Sequence, residues 1–358
     1  MKVMSIVGAR PQFVKLAPIS TEFKLNNVNH VIVHTGQHYD SNMSDIFFDS
    51  LSIPSPNFNL GIGSGSHGHQ TAGMLTAIED LLLTETPDWV LVFGDTNSTL
   101  AASLASRKIG QPLAHLEAGL RSFNRAMPEE INRVLTDHCS DLLLAPTVNA
   151  MNNLEREGLL DRSRLVGDVM VDICRTIVSS QSKVWSPWPG EFVEPGTYLL
   201  STLHRAENTD NETRLRAIIE TLQAMPLKVF MPVHPRLRER CIRFEIELRK
   251  GNLVPLPPLA YPDMMSALVS CKGLVTDSGG LQKEAYILAK TCTTIRSETE
   301  WVETLHDGWN VLTTDMKSLG SVAMRESPKN DPLAHFGNGF TSSQVLELLS
   351  SEQVHSRD

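Results

Sequence analysis

Asp277-Ser278-Gly279-Gly280-Leu281-Gln282-Lys283-Glu284 follows the apolar run Gly273-Leu274-Val275 and opens a helix-like segment reaching Lys290. A strand, a glycine turn and a helix start present free backbone N–H groups and a positive dipole end at one point, which suits a pyrophosphate. Glu284 falls about one and a half turns into that helix, where a carboxylate can accept hydrogen bonds from ribose hydroxyls. Ser-Gly-Gly also serves as an ordinary helix N-cap, so the stretch alone leaves both readings open. Gly8-Ala9-Arg10-Pro11 places Arg10 on a turn, with Lys15 about one helical turn beyond. Both cations can reach a diphosphate, although a solvated arginine and a snorkelling lysine give the same pattern.

Carboxylates and histidines supply the acid–base chemistry. Gly94-Asp95-Thr96-Asn97-Ser98 follows an apolar run and sets Asp95 either on a rim or at a helix cap. His115-Leu116-Glu117-Ala118-Gly119-Leu120-Arg121 carries ionisable groups at alternating positions of a strand end, which on an extended chain point to one side. Buried there, they require partners or a ligand. Pro128-Glu129-Glu130 starts a helix with carboxylates in its first turn, which the helix dipole alone would explain. Together with Asp95 and Glu117, Glu129 is expected to crowd negative charge, so that one carboxyl holds its proton more tightly and can act as general acid or base. His204, in Leu203-His204-Arg205-Ala206-Glu207-Asn208, and His234, in His234-Pro235-Arg236, both follow apolar runs. His204 can serve as general acid or bond a phosphate; a structural histidine is the alternative. Gly63-Ser64-Gly65-Ser66-His67-Gly68 fits a dinucleotide fingerprint by letter, but no buried strand precedes it. His67 and His69 have no third ligand nearby in sequence, so no metal site is expected.

The elements that must position these groups alternate. Residues 3–7, 30–34, 89–93, 112–116 and 142–145 are short Val-, Ile- and Leu-rich runs, as expected of strands covered on both faces. Helical periodicity separates them at 12–23, 70–83, 98–108 and 129–139. Residues 179–196, with Ser179-Ser180-Gln181-Ser182, Pro187, Pro189, Gly190, Pro195 and Gly196, read as a linker. The alternation resumes at 198–201, 228–231, 273–275 and 293–295, and residues 342–351 look like a terminal helix. The expected architecture is α/β, with two doubly wound Rossmann-like domains facing a cleft: 1–180, completed by a C-terminal helix within 342–358, and 181–341.

Composition narrows the class. The chain has 358 residues, 41% of them apolar and 20% charged, which is the balance of a globular protein large enough for two cores. No apolar run approaches the roughly 18 residues of a membrane span, and the first strand has no cleavage-site pattern before it, so a cytoplasmic protein without membrane insertion is expected. A net charge of -9 argues against nucleic acid as a partner. The five cysteines, Cys139, Cys174, Cys241, Cys271 and Cys292, form no C-x-x-C pair and are expected as buried small hydrophobes.

Taken in order, these motifs resemble the non-hydrolysing UDP-N-acetylglucosamine 2-epimerase family. The likeness runs from Gly8-Ala9-Arg10-Pro11-Gln12 through Thr35-Gly36-Gln37-His38, Gly94-Asp95-Thr96, residues 115–121, Pro128-Glu129-Glu130-Ile131-Asn132-Arg133, His204-Arg205-Ala206-Glu207-Asn208 and His234-Pro235 to Thr276-Asp277-Ser278-Gly279-Gly280. The resemblance implies the GT-B arrangement and a homodimer. By it, Asp95, Glu117, Glu129 and His204 match catalytic positions, while Arg10, Lys15, His234, Ser278, Gly279, Gly280 and Glu284 match the UDP site. The family's reaction inverts C2 of a UDP-N-acetylhexosamine by loss of UDP, a 2-acetamidoglucal and return of UDP, with no redox cofactor. Tyr39-Asp40-Ser41-Asn42-Met43-Ser44-Asp45 and Thr299-Glu300-Trp301-Val302-Glu303 resemble the branch containing UDP-2,3-diacetamido-2,3-dideoxyglucuronic acid epimerases. A GT-B glycosyltransferase is the rival class, sharing the nucleotide seat but not needing the carboxylates.

Overall fold

Trp89-Val90-Leu91-Val92-Phe93 is buried along its whole length. A strand with no solvent side needs helices on both faces of its sheet, and a parallel sheet with crossover helices provides them. The computed structural model describes residues 1–37, 48, 51–180, 185–188, 192–330 and 332–352. It divides into two compact units, Met1–Ile173 with the stretch from His335 onward, and Cys174–Ala334.

In unit 1 the elements run β1 (Lys2–Val7), α1 (Arg10–Leu25), β2 (Asn29–His34), β3 (Phe58–Asn59), α2 (His67–Glu85), β4 (Trp89–Phe93), α3 (Asn97–Lys108), β5 (Leu113–Leu116), α4 (Pro128–Cys139), β6 (Leu142–Ala145), α5 (Val148–Arg156), β7 (Ser163–Leu165) and the start of α6 (Val169–Ser180), whose residues from Cys174 count with unit 2. The strands pair in parallel in the order β3-β2-β1-β4-β5-β6-β7. Chain direction across the sheet reverses between β1 and β4, and the loops at their carboxyl ends are where such a sheet takes its ligand. Met4, Ile6, Val90 and Val92 pack with Met74 and Ile78 of α2 and with Ala101, Ala102 and Ala105 of α3. The alanines bring α3 close to the sheet, and burial of this kind contributes about 25 cal/mol per Å² of apolar surface.

Unit 2 repeats the plan with β8 (Tyr198–Thr202), α7 (Ala206–Thr209), α8 (Glu212–Gln223), β9 (Lys228–Pro232), α9 (Pro235–Arg243), β10 (Leu253–Leu256), α10 (Tyr261–Ser270), β11 (Gly273–Thr276), α11 (Gly279–Ile287), β12 (Thr291–Thr294), β13 (Asn310–Leu312) and α12 (Met316–Ala323). Its parallel order is β10-β9-β8-β11-β12-β13, with the reversal between β8 and β11. Leu199, Ile218, Ile219, Val229, Met231 and Leu237 form its core.

The last helix, α13 (Thr341–Ser351), belongs to unit 1. Asp172 of α6 caps it, accepting from Thr341 N (3.1 Å), Ser342 N (2.8 Å) and Ser342 Oγ (2.7 Å). At its far end the Trp89 indole N–H donates to Leu349 O at 3.0 Å. A carboxylate at the positive end of the helix and a buried indole bond fix both ends of a short helix that would be marginal alone. Cys174, Cys241, Cys271 and Cys292 are buried, whereas Cys139 is only half-buried.

Candidate active site

Gln12 pins the switch point of unit 1. Its Oε1 accepts from Gly8 N (2.8 Å) and Ala9 N (3.1 Å) after β1, and its Nε2 donates to Phe93 O (2.9 Å) at the end of β4. One turn further along α1, the Lys15 ammonium forms a buried ion pair with Glu117. Glu117 lies just past β5 at φ 77, a left-handed conformation costing a non-glycine residue about 1–3 kcal/mol. The ion pair rests on Gly94, itself at φ 59, where a Cβ would stand 3.2 Å from Lys15 Nζ and 3.3 Å from Glu117 Oε2.

Asp95, next in the chain, pairs with Arg133 of α4. Arg133 also bridges to Glu130 Oε2 at 3.1 Å. Burial alone would lower the Arg133 pKa, but Asp95, and then Glu130 and Glu117, raise it above its ordinary value. Glu130 is occupied elsewhere as well, accepting from Ser122 N, Ser122 Oγ and Phe123 N at 2.9 Å each. It fastens that turn, whereas Glu129 is exposed on the first turn of α4.

Two sequence expectations change here. The crowding of carboxylates gives way to compensation, because Asp95 and Glu117 each have a cation of their own. The alternation from His115 to Arg121 also fails, because the positive φ of Glu117 breaks the extended chain. His115 and Arg121 turn instead to Asp137, which is fully buried. His115 Nδ1 lies 2.6 Å from Asp137 Oδ1 and its Nε2 lies 2.8 Å from Gly94 O. Arg121 Nη1 lies 2.7 Å from Asp137 Oδ2, and Glu157 takes its Nε at 2.7 Å. Burial alone would push the Asp137 pKa up; the contacts with His115 and with the Arg121 cation outweigh it and hold the carboxyl below the usual range. These three are scaffold. The Arg10 side chain, His38 and the motif 39–45 lie outside the described residues.

Unit 2 assembles its groups at the ends of β8 and β11. Ser278 caps α11, its Oγ accepting from Leu281 N at 3.4 Å. Gly280 is open, with no atom within 4 Å of the position a Cβ would take. A Cβ on Gly279 would run into the Glu300 carboxylate, which Arg296 holds at 3.0 Å. Glu284 is buried one turn further on and accepts from the Tyr261 hydroxyl at 3.0 Å. His234 caps α9, its Nδ1 accepting from Arg236 N at 3.2 Å, and its ring lies 5.5 Å from that of His204. His204 Nδ1 faces Asp277 Oδ1 at 3.1 Å.

Sequence reasoning named Arg133 and Asp277 within motifs but gave them no task, and it passed over Arg296 and Tyr261. Arg133 had a readable signal, since it stands three and four residues after the two carboxylates that open α4. Tyr261 had none, because its partner Glu284 lies 23 residues away in α11; Arg296 stands four residues before Glu300, but no helix there would have marked the pair. The G-x-G-x-x-G segment is preceded by a strand of two residues at the sheet edge, which is no dinucleotide site.

A sequence model of the family described as UDP-N-acetylglucosamine 2-epimerase matches residues 22–350. A UDP-N-acetylglucosamine 2-epimerase homolog of Methanococcus maripaludis is 47% identical, covering 98% of this chain and 99% of that protein. The UDP-2,3-diacetamido-2,3-dideoxy-D-glucuronate 2-epimerase of Pseudomonas aeruginosa is 42% identical with the same coverage. Among solved structures, Methanocaldococcus jannaschii UDP-GlcNAc 2-epimerase in complex with UDP-GlcNAc and UDP superposes with a TM-score of 0.85 at 38% identity, covering 98% of this chain and 100% of that one.

Proposed function

The chain belongs to the UDP-N-acetylglucosamine 2-epimerase family, and from that premise we propose that it inverts C2 of a UDP-N-acetylhexosamine, interconverting UDP-GlcNAc and UDP-ManNAc. The C2 proton of such a sugar is not acidic, so direct removal is ruled out by energy. Departure of UDP from C1 makes it acidic: the C1–O electron pair leaves with the diphosphate, a carboxylate takes the C2 proton, and 2-acetamidoglucal remains. Delivery of a proton to the opposite face and return of UDP complete the inversion.

The observation that carries the acid–base half is Glu117, kept in a strained backbone conformation while it accepts from a buried lysine. Strain of this kind persists where the surrounding fold insists on it, and it concentrates at working sites. A carboxylate so held is a proton acceptor, and Asp95 on Arg133 offers a second. Glu129 is the third candidate. For the leaving group, the Ser278-Gly279-Gly280 start of α11 offers backbone N–H groups and its dipole. Glu284 supplies an acceptor for the ribose and His204 a donor for the diphosphate.

Turnover in D2O tests this. Product formed from UDP-GlcNAc alone is expected to carry deuterium at C2, with slow release of 2-acetamidoglucal and UDP. Epimerised product that retains protium at C2 after both directions have turned over overturns the route. The 42% identity to the diacetamido-glucuronate epimerase favours a second substrate. If the uronate exceeds UDP-GlcNAc in kcat/KM by more than about a hundredfold, or about 2.7 kcal/mol, it is the substrate of this enzyme.

A further inference from the structure

Asp277 is fully buried at the end of β11, yet four donors converge on it. Oδ2 accepts from His204 N (3.1 Å), Arg205 N (3.0 Å) and Asn208 Nδ2 (3.1 Å). Oδ1 faces His204 N at 3.1 Å and His204 Nδ1 at 3.1 Å. Asn208 is fixed in turn, with Nδ2 also donating to Ile295 O (3.0 Å) and Oδ1 accepting from Arg214 Nε (2.8 Å). The backbone bonds account for the turn between β8 and α7. The contact to Nδ1 is additional, and it orients a ring.

We propose that Asp277 is the positioning residue for His204, holding its imidazole with hydrogen on Nδ1 and Nε2 turned outward to the leaving diphosphate; the step it serves rests on the epimerase reading. A carboxylate is acceptor-only, so the ring must present Nδ1–H to it. The His204 side chain is 39% exposed, and Nε2 is the nitrogen left for a ligand. As the C1–O bond breaks, its electron pair leaves with the diphosphate and an Nε2–H group bonds the oxygen that receives it. Asp277 keeps its charge throughout and offsets the imidazolium. Its neighbour Ser278 caps α11, so one rigid dipeptide aligns both the donor and the anion seat. Burial tends to raise the Asp277 pKa, but His204 and the backbone donors bring it below the usual range, which suits a carboxylate that never takes the proton.

Asp277→Asn inverts this arrangement without dismantling the turn. With the amide oxygen in the place of Oδ2, the three donors there stay satisfied, and the amide NH2 then faces Nδ1. That disfavours hydrogen on Nδ1 and with it the doubly protonated ring, so the Nε2–H that remains is a neutral, weaker donor to the leaving diphosphate. Three measurements decide the matter. In wild-type protein, ¹⁵N NMR of the histidines, with His204 assigned through His204→Ala, is expected to show hydrogen on Nδ1; an unprotonated Nδ1 overturns the proposal whatever the substrate. Asp277→Asn is expected to lower kcat by about 10²–10⁴-fold while KM stays within about threefold. In a His204→Ala background the same substitution is expected to cost less than about twofold more, because the two residues act as one unit; multiplying losses overturn it. If Asp277→Asn fails to fold, the wild-type tautomer still decides. If wild-type protein turns over no UDP-hexosamine, the epimerase reading fails while the tautomer result stands.

Discussion

Among the described residues, the buried aspartates Asp137 and Asp277 both face histidines, and they do opposite things. In unit 1, Asp137 meets one nitrogen of His115 and the Gly94 carbonyl meets the other, so both ring positions face acceptors and no solvent reaches the ring. In unit 2, Asp277 meets one ring nitrogen of His204, Nδ1, and that ring is partly exposed. The residue types are the same; what the second nitrogen touches separates a bracket from a reagent. His115 holds the Gly94 peptide beside Asp95, and through it the floor on which the Lys15–Glu117 pair sits. Among the described residues no hydrogen bond engages His204 Nε2, which leaves it a nitrogen to offer.

The sharpest way to break this comparison is to remove each ring. His204→Ala is expected to lower kcat by about 10²–10⁴-fold with little change in melting temperature, because no other element of the fold depends on its outer nitrogen. His115→Ala should first lower the melting temperature, since it strands the buried Asp137 charge and frees the Gly94 carbonyl. Melting curves and initial rates on both variants check this. A His115 variant that melts like wild type, or a His204 variant that unfolds, would show that the two pairs have been assigned the wrong way round.

A second effect belongs to the aspartates. Asp137→Ala leaves Arg121 and His115 buried beside an empty place, and removing one partner of a buried ionic cluster costs about 3–5 kcal/mol. Urea unfolding followed by fluorescence measures it. A loss below about 1 kcal/mol, the scale of an exposed pair, would mean that solvent reaches Asp137 and that the unit 1 pair is no bracket.

Much of this was legible in the sequence, and the boundary of legibility is physical. The strands read from apolar runs are the interior ones, buried along most or all of their length, as in β4, β5, β6, β8 and β11. The strands missed are β3, β7, β10 and β13, which are the edges of the two sheets. An edge strand has less to bury, and β10 even carries Pro255, which an edge tolerates because its N–H side need not pair. At the site, residues at the ends of interior strands were identifiable by type and position: Asp95, Glu117 and His204. Which of them act was not, because the sequence lists charges without their partners. Glu117 and His115 looked alike until backbone torsion sent one to Lys15 and the other to Asp137.

Acid makes the smallest difference, and it tests the two aspartates together. Both Asp137 and Asp277 are held below the ordinary carboxylate pKa in the folded protein. A group depressed in this way contributes stability that is fully present above its unfolded value, about 4, and lost as pH falls through the lower folded value. Asparagine carries no such term. Wild type and Asp137→Asn are therefore expected to differ by a constant amount in urea midpoint between about pH 5 and pH 7, and to converge below about pH 4. Asp277→Asn should follow the same course with a smaller gap, since the Asp277 site retains three of its donors and faces a half-exposed histidine, whereas the Asp137 site loses its charge pairing with the buried Arg121. Parallel midpoints down to pH 3 would show that the carboxylates gain no charge-dependent stabilisation from their histidines. An Asp277 gap equal to or larger than that of Asp137 would instead make the unit 2 pair the structural one.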